Sequence, residues 1–313
     1  MKHFWNLVKW LTPPLPIARK MAVWFPIVAL YCVATWGVHT ACRMELSEWG
    51  DEAAIFNGLA LGLLLNFRNN AAYDRWWEGR KLWGQLTNDS RNLTLKARTL
   101  LDDSAAEVEA LAKLLAGFAR ALKNHLRGQG ALQAIPGYEG DTRRIQHVPA
   151  FIAGEVFSLL DRWRREDRID GYEQLMLDRH ARALMDISGA CERIKSCPIP
   201  PSYHALLRYG ICVYVLVAPF FVIHELGLWG IPVVLLVLFP MVSLELAAET
   251  IEEPFGTEKD DLALDSIVRS IERVLGEIAG VELDPNRAAA GKTSTVDRRM
   301  SFTALYEPVD PKD

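Results

Sequence analysis

Long uncharged apolar stretches alternate with charged ones along this chain, and their lengths predict its helices. Met21 to Cys42 carries no charge for 22 residues, enough for one helix to span a hydrocarbon core of about 30 Å. Tyr209–Ile223 and Leu226–Leu244 are two further apolar runs, parted only by His224-Glu225. So short a break predicts a helical hairpin with its turn at the far membrane face. Ala53–Phe67 is 15 residues long, short for a span on its own. A helix that continues past the membrane still crosses with little tilt, and an even number of crossings returns the chain to its starting side. Four spans are therefore expected.

The second run has more to say. No proline occurs between Pro26 and Pro136, so one helix can run from about residue 53 to about residue 100, roughly 70 Å at 1.5 Å per residue. Leu59, Leu63 and Phe67 recur every four residues along one face of it. Gly58 and Gly62 form a small-xxx-small pair on the adjacent face, which permits close helix contact. In a bundle the bulky stripe is ordinary packing. In a symmetric ring it faces an axis and makes a hydrophobic constriction. Spacing alone leaves both readings open.

Beyond the spans, Val108, Leu111, Leu115, Phe118 and Leu122 alternate three- and four-residue steps, as do Leu177, Ala181, Leu184, Ser188 and Cys191, and Ile267, Ile271, Val274 and Ile278. Such stripes predict amphipathic helices with buried apolar faces. Residues 128–149 read as a Gly/Pro-containing loop. Residues 1–20 hold Lys2, Lys9, Arg19 and Lys20 and no acid, and the segment after Phe67 is basic again. Between the first two spans, Arg43 stands against Glu45, Glu48, Asp51 and Glu52. Cytoplasmic segments carry the excess of Lys and Arg, so both termini and the charged middle are assigned to the cytoplasm.

The expected class is all-α, an integral membrane protein with four transmembrane helices. Its segments are an N-terminal interfacial stretch (1–20, with Phe4, Trp5, Leu7, Val8, Trp10 and Leu11 between lysines), two spans (21–67), a cytosolic helical domain (68–208), two more spans (209–247), a cytosolic helical segment (248–281) and a polar, disordered tail (282–313). Pro13-Pro14-Leu15-Pro16 and the later apolar runs argue against a cleaved leader.

Composition changes this picture little. The net charge of −4 gives no argument for nucleic-acid binding, and the Lys and Arg of 68–100 are interleaved with acids. The Cys residues at 32, 42, 191, 197 and 212 make no CxxC pair, and the His residues show no metal-ligand spacing. There is no P-loop, GxSxG or dinucleotide fingerprint, and no charge lies deep within a span. An enzyme is not expected. Glu245, Glu249, Glu252 and Glu253 cluster where the last span ends, and read as its solvated cytoplasmic end, with an ion-attracting rim as the alternative.

Asn66-Phe67-Arg68-Asn69-Asn70, followed by Tyr73, Arg75 and Lys81-Leu82-Trp83-Gly84, resembles the segment after the pore helix in bacterial bestrophins. Gly189-Ala190-Cys191-Glu192-Arg193-Ile194 with Pro198-Ile199-Pro200 is similar to a second block of that family, and Glu253-Pro254-Phe255-Gly256-Thr257-Glu258 with Asp260-Asp261-Leu262 to a third. The likeness extends over roughly residues 15–280.

The resemblance implies a homopentameric channel in the bacterial inner membrane that passes small monovalent ions passively. Its partners would be permeant inorganic ions, the lipid bilayer and its own copies, with no cofactor. The second helix would line the pore and extend into the cytosolic domain, and the family's three neck positions fall on Leu59, Leu63 and Phe67. A narrow cytosolic aperture falls on Leu175, counted back from Cys191, with Met176 and Gln174 as alternatives. The Pro-Phe-Gly block corresponds to the calcium clasp of animal members. Glu258 and Asp261 fit its acidic positions, but Thr250 and Glu253 replace the amides and Lys259 interrupts the acids. Calcium takes six to eight oxygens, so this remnant is expected to cap or pair with neighbouring helices, and no metal is expected there. The family includes anion channels in animals and cation-permeable bacterial members; the acids near 43–52 and 245–261 lean towards cations. The rival reading is a membrane scaffold or sensor whose stripe is solid core.

Overall fold

A computed structural model of the chain describes residues 15–42, 49–101, 104–129 and 145–283. Among these the regular structure is entirely helical: α1 Leu15–Cys42, α2 Trp49–Leu100, α3 Ala105–Leu126, α4 Val148–Arg165, α5 Gly171–Ser196, α6 Pro201–Leu226, α7 Gly230–Ile251 and α8 Leu264–Ala279. The interfacial residues Phe4 to Leu11, the acids Glu45 and Glu48 and nearly all of the polar tail lie outside the described residues.

The proline-free stretch forms one helix of 52 residues, about 78 Å long at 1.5 Å per residue. It belongs to both ends of the molecule. At one end the stretch of α2 around Leu61 and Leu65 packs with α6 and α7, and α1 packs on those two helices in turn. Val28 and Cys32 of α1 meet Ile223, Val234 and Leu238, and Leu61 and Leu65 of α2 meet Leu207 and Met241. The outer surface here is apolar as well: Trp24, Leu30, Leu216 and Leu236 are exposed. In water so large an apolar surface is unfavourable; against lipid it is not. Met21–Ala41 and the α6–α7 hairpin are long and apolar enough to cross a membrane.

At the other end the rest of α2 lies in a bundle with α3, α4, α5 and α8 around one core, in which Trp83, Leu93, Phe118, Trp163, Leu184 and Ile271 are buried. Here the outer faces are largely polar, Leu95, Leu175 and Met176 being exposed apolar exceptions. The stripes of α3 (108–122) and α5 (177–191) are buried throughout. Asp170 starts α5 with a capping box, accepting from the Glu173 backbone N–H while the Glu173 carboxylate accepts from that of Asp170.

Three details depart from the expectations. The α6–α7 turn is a 3₁₀ turn at Gly227–Trp229, beyond His224-Glu225, because both residues continue the helix to Leu226. Helix α6 also begins at Pro201, eight residues before the apolar run, since Pro at the first helical position fits its fixed φ. The buried face of α8 is Leu264, Val268, Ile271, Glu272 and Leu275, one position round from the expected stripe. Glu272 is buried because Arg120 of α3 forms an ion pair with it.

Candidate functional site

Between residues 59 and 67 of α2, alternate side chains take opposite sides. Leu61 and Leu65 are each 2% exposed, whereas Leu59, Leu63 and Phe67 are 66%, 56% and 54% exposed. The stripe is therefore no part of the core of a single subunit. A Cβ on Gly58 would lie at an ordinary 3.7 Å from Tyr214 Cε2, and one on Gly62 would meet nothing within 4 Å. Neither glycine makes an unusually close helix contact inside the subunit.

One residue past the stripe the chemistry changes. Arg68 is fully buried, and its Nη2 donates to Glu252 Oε2 at 2.7 Å. Its Nε lies 3.9 Å from Glu245 Oε2. His204 Nε2 is 3.3 Å from Glu252 Oε2, and Glu252 Oε1 accepts the Ile199 backbone N–H at 3.0 Å. This corrects the reading of Glu245 and Glu252 as a solvated helix end: both are buried, because α7 carries them against a guanidinium at the same depth on α2. Glu249 and Glu253 do face outward, and Glu249 Oε1 accepts from Arg208 at 3.2 Å. A cavity of about 750 Å³ opens beside the cluster, lined by Ile199, His204, Arg208, Glu249 and Glu252 among others.

Arg75, two turns along α2, ties the same helix to two more segments. Its Nε donates to the Glu252 carbonyl at 3.1 Å, and its other nitrogens donate to the carbonyls of Cys197 and Ile194 at 2.5 Å each. The Pro254–Leu262 turn then folds back on α2. A Cβ on Gly79 would lie 3.2 Å from Phe255 Cε1 and 3.3 Å from Leu262 Cδ1, so a side chain there would press on the turn by a few tenths of an ångström. Pro254 is buried with Phe255, and a Cβ on Gly256 would displace the Asp261 carboxylate. That carboxylate points into its own turn: Oδ2 accepts the Glu258 backbone N–H at 2.6 Å, and burial pushes its pKa up. Glu258 is exposed. Asn69 is half-buried and Asn70 exposed, on the turn of α2 after Arg68.

Leu175 lies in the second turn of α5 and is 66% exposed; its neighbour Met176 is also exposed and Gln174 half-buried. Cys191, in the second family block, is core, and burial pushes its thiol up to about 12, which leaves it unreactive at neutral pH.

Residues 15–277 match the family model described as bacterial/fungal bestrophin protein. The chain belongs to this family. A voltage-dependent anion channel-forming protein of Ralstonia nicotianae is 34% identical over 241 residues, which cover 74% of this chain and 78% of the relative. Another, from Nostoc, is 32% identical over 278 residues, 85% and 90% of the two chains. A crystal structure of a bacterial bestrophin homolog from Klebsiella pneumoniae superposes with a TM-score of 0.76 at 22% identity, covering 82% of this chain and 97% of that one. Bestrophins are a channel family rather than an enzymatic one, and this chain is a membrane protein of it.

The stripe is legible in its spacing. The Arg68–Glu252–Glu245 cluster is not, although it leaves a signal: a cation closes one apolar run and acids close another.

Proposed function

We propose that five copies of this chain form a ring in the bacterial inner membrane, with both termini cytoplasmic, α2 innermost and four spans per subunit. The ring passes small monovalent ions passively. Leu59, Leu63 and Phe67 form its hydrophobic neck, which conducts when wetted, and Leu175 narrows the cytosolic end. The observation that carries this reading is the outward face of that stripe on α2, the helix whose next residue, Arg68, is fixed by buried ion pairs. A bulky apolar stripe left uncovered on an otherwise anchored helix needs a partner surface, and a closed ring supplies one on its axis.

Anions are the first candidates for the permeant ion, because relatives covering most of the chain are named anion channel-forming proteins. The lean towards cations loses weight in turn: Glu245 and Glu252 are taken up by Arg68, and Asp261 by its own turn.

Flux from liposomes with purified protein tests the channel, and the reversal potential under asymmetric salt tests its selectivity. Absence of flux, or a monomer or dimer as the sole assembled species by mass measurement, supports a scaffold or sensor instead.

A further inference from the structure

Three side chains remote in sequence meet in the cytosolic bundle: His125 in the last turn of α3, His147 at the N-cap of α4 and Glu192 near the end of α5. Glu192 Oε1 lies 2.8 Å from His147 Nε2 and 3.5 Å from His125 Nε2. One ligand atom from each residue falls within 4.8 Å of the others, and the two rings are 4.7 Å apart, centre to centre.

We propose that this cluster is a site for a divalent transition ion of the zinc class. A tetrahedral ion sits about 2.0–2.1 Å from each ligand, which sets neighbouring donors about 3.3 Å apart. The two separations to Glu192 bracket that value. Two imidazoles and a carboxylate make a donor set suited to zinc and unsuited to calcium or magnesium, which take oxygen. Each of the three side chains is about one-third exposed, so an ion can enter from solvent and keep a water as fourth ligand. Ser188 Oγ donates to Glu192 Oε1 at 2.9 Å and orients the carboxylate. Burial, with His147 beside it, lowers the pKa of His125 and favours the neutral ring that a metal needs.

The resting hydrogen bonds set the strength of binding. His147 Nδ1 accepts the Ala150 backbone N–H at 3.0 Å, so its Nε2 holds the proton and donates it to Glu192. A metal at Nε2 displaces that proton and moves the ring to its other tautomer, and the Ala150 N–H turns to solvent. Lys195 lies at the rim, donating to the His125 carbonyl at 3.2 Å, and its charge weakens a cation further. The affinity expected is therefore moderate.

The ion would clip the ends of α3 and α4 to a segment of α5 that also grips the long helix. Arg193, next to Glu192, pairs with Glu78 of α2 at 2.9 Å, and the carbonyl of Ile194 accepts from Arg75.

Chelator-stripped protein in detergent, titrated with Zn²⁺ in a calorimeter and with Co²⁺ in a spectrophotometer, tests the site. The expected result is one Zn²⁺ per subunit, and a Co²⁺ complex with visible d–d bands and no thiolate charge-transfer band, whose bands Zn²⁺ abolishes. Glu192→Gln and His125→Gln should each weaken Zn²⁺ binding at least tenfold, while Cys197→Ser with Cys212→Ser should leave it unchanged. Absence of Zn²⁺ binding, or binding indifferent to Glu192→Gln and His125→Gln, overturns the proposal. If those variants do not assemble, diethylpyrocarbonate labelling of the unmodified protein decides. Zn²⁺ should protect His125 and His147; equal labelling with and without Zn²⁺ overturns the site.

Discussion

Glu252 Oε2 accepts a 2.7 Å hydrogen bond from Arg68 Nη2 across 184 residues of sequence. Arg68 directly follows Phe67, so the last residue of the outward stripe is backed by a buried ion pair. Glu252 stands two residues before Pro254, where the turn packed on Gly79 begins. The pair thus joins the stripe, the end of α7 and that turn at one point.

Removing one member of a buried ion pair leaves the other uncompensated, at a cost of about 3–5 kcal/mol. Arg68→Met strands both Glu245 and Glu252 and should lower the thermal midpoint of the detergent-solubilised protein markedly. Replacing all three charges with apolar residues of similar size should recover much of the loss. A midpoint unchanged by Arg68→Met would show that the cluster is solvated.

Replacing Leu59, Leu63 and Phe67 together by Ala widens the proposed neck and weakens its dewetting. Flux should rise severalfold with the assembly unchanged in mass. Unchanged flux with dissociated oligomers would make the stripe a packing surface.

Calcium should not switch the currents. The Asp261 carboxylate is engaged by the Glu258 N–H, so the turn offers few of the oxygens the ion requires. Asp261→Asn should loosen the turn, seen as faster hydrogen exchange over 254–262, and leave currents equally insensitive to micromolar calcium. Currents that switch on with calcium in the unmodified protein would show that the turn reopens as a clasp.

Hydrogen bonds from Lys123 and Arg127 hold the Asp265 carboxyl down at about 2, against 3.8 ordinarily. A depressed carboxyl contributes stability that is complete above about pH 4 and fades as pH falls towards 2. The carboxylate is 48% exposed, so the effect should be small. Circular dichroism melts at pH 5, 4, 3 and 2 should show Asp265→Asn less stable than the parent at pH 5, with the gap closing at pH 2.

The extent of α2 was legible because proline is the strongest local interruption of a helix, and none occurs from 27 to 135. The stripe was legible because four-residue spacing is a property of one helix. What escaped depends on pairs that local spacing does not encode. Glu252 reads as a surface acid until Arg68 is placed at the same depth, and Glu272 until Arg120 is. His125, His147 and Glu192 lie on three helices and share no sequence spacing.

A helix of 52 residues without proline behaves as a stiff lever rather than as two jointed parts. A tilt of about 5° about one end displaces the other by about 7 Å over a length of about 78 Å. The helical bundle and the apolar end are therefore mechanically linked, and a ligand that reorients the bundle would also move the proposed neck.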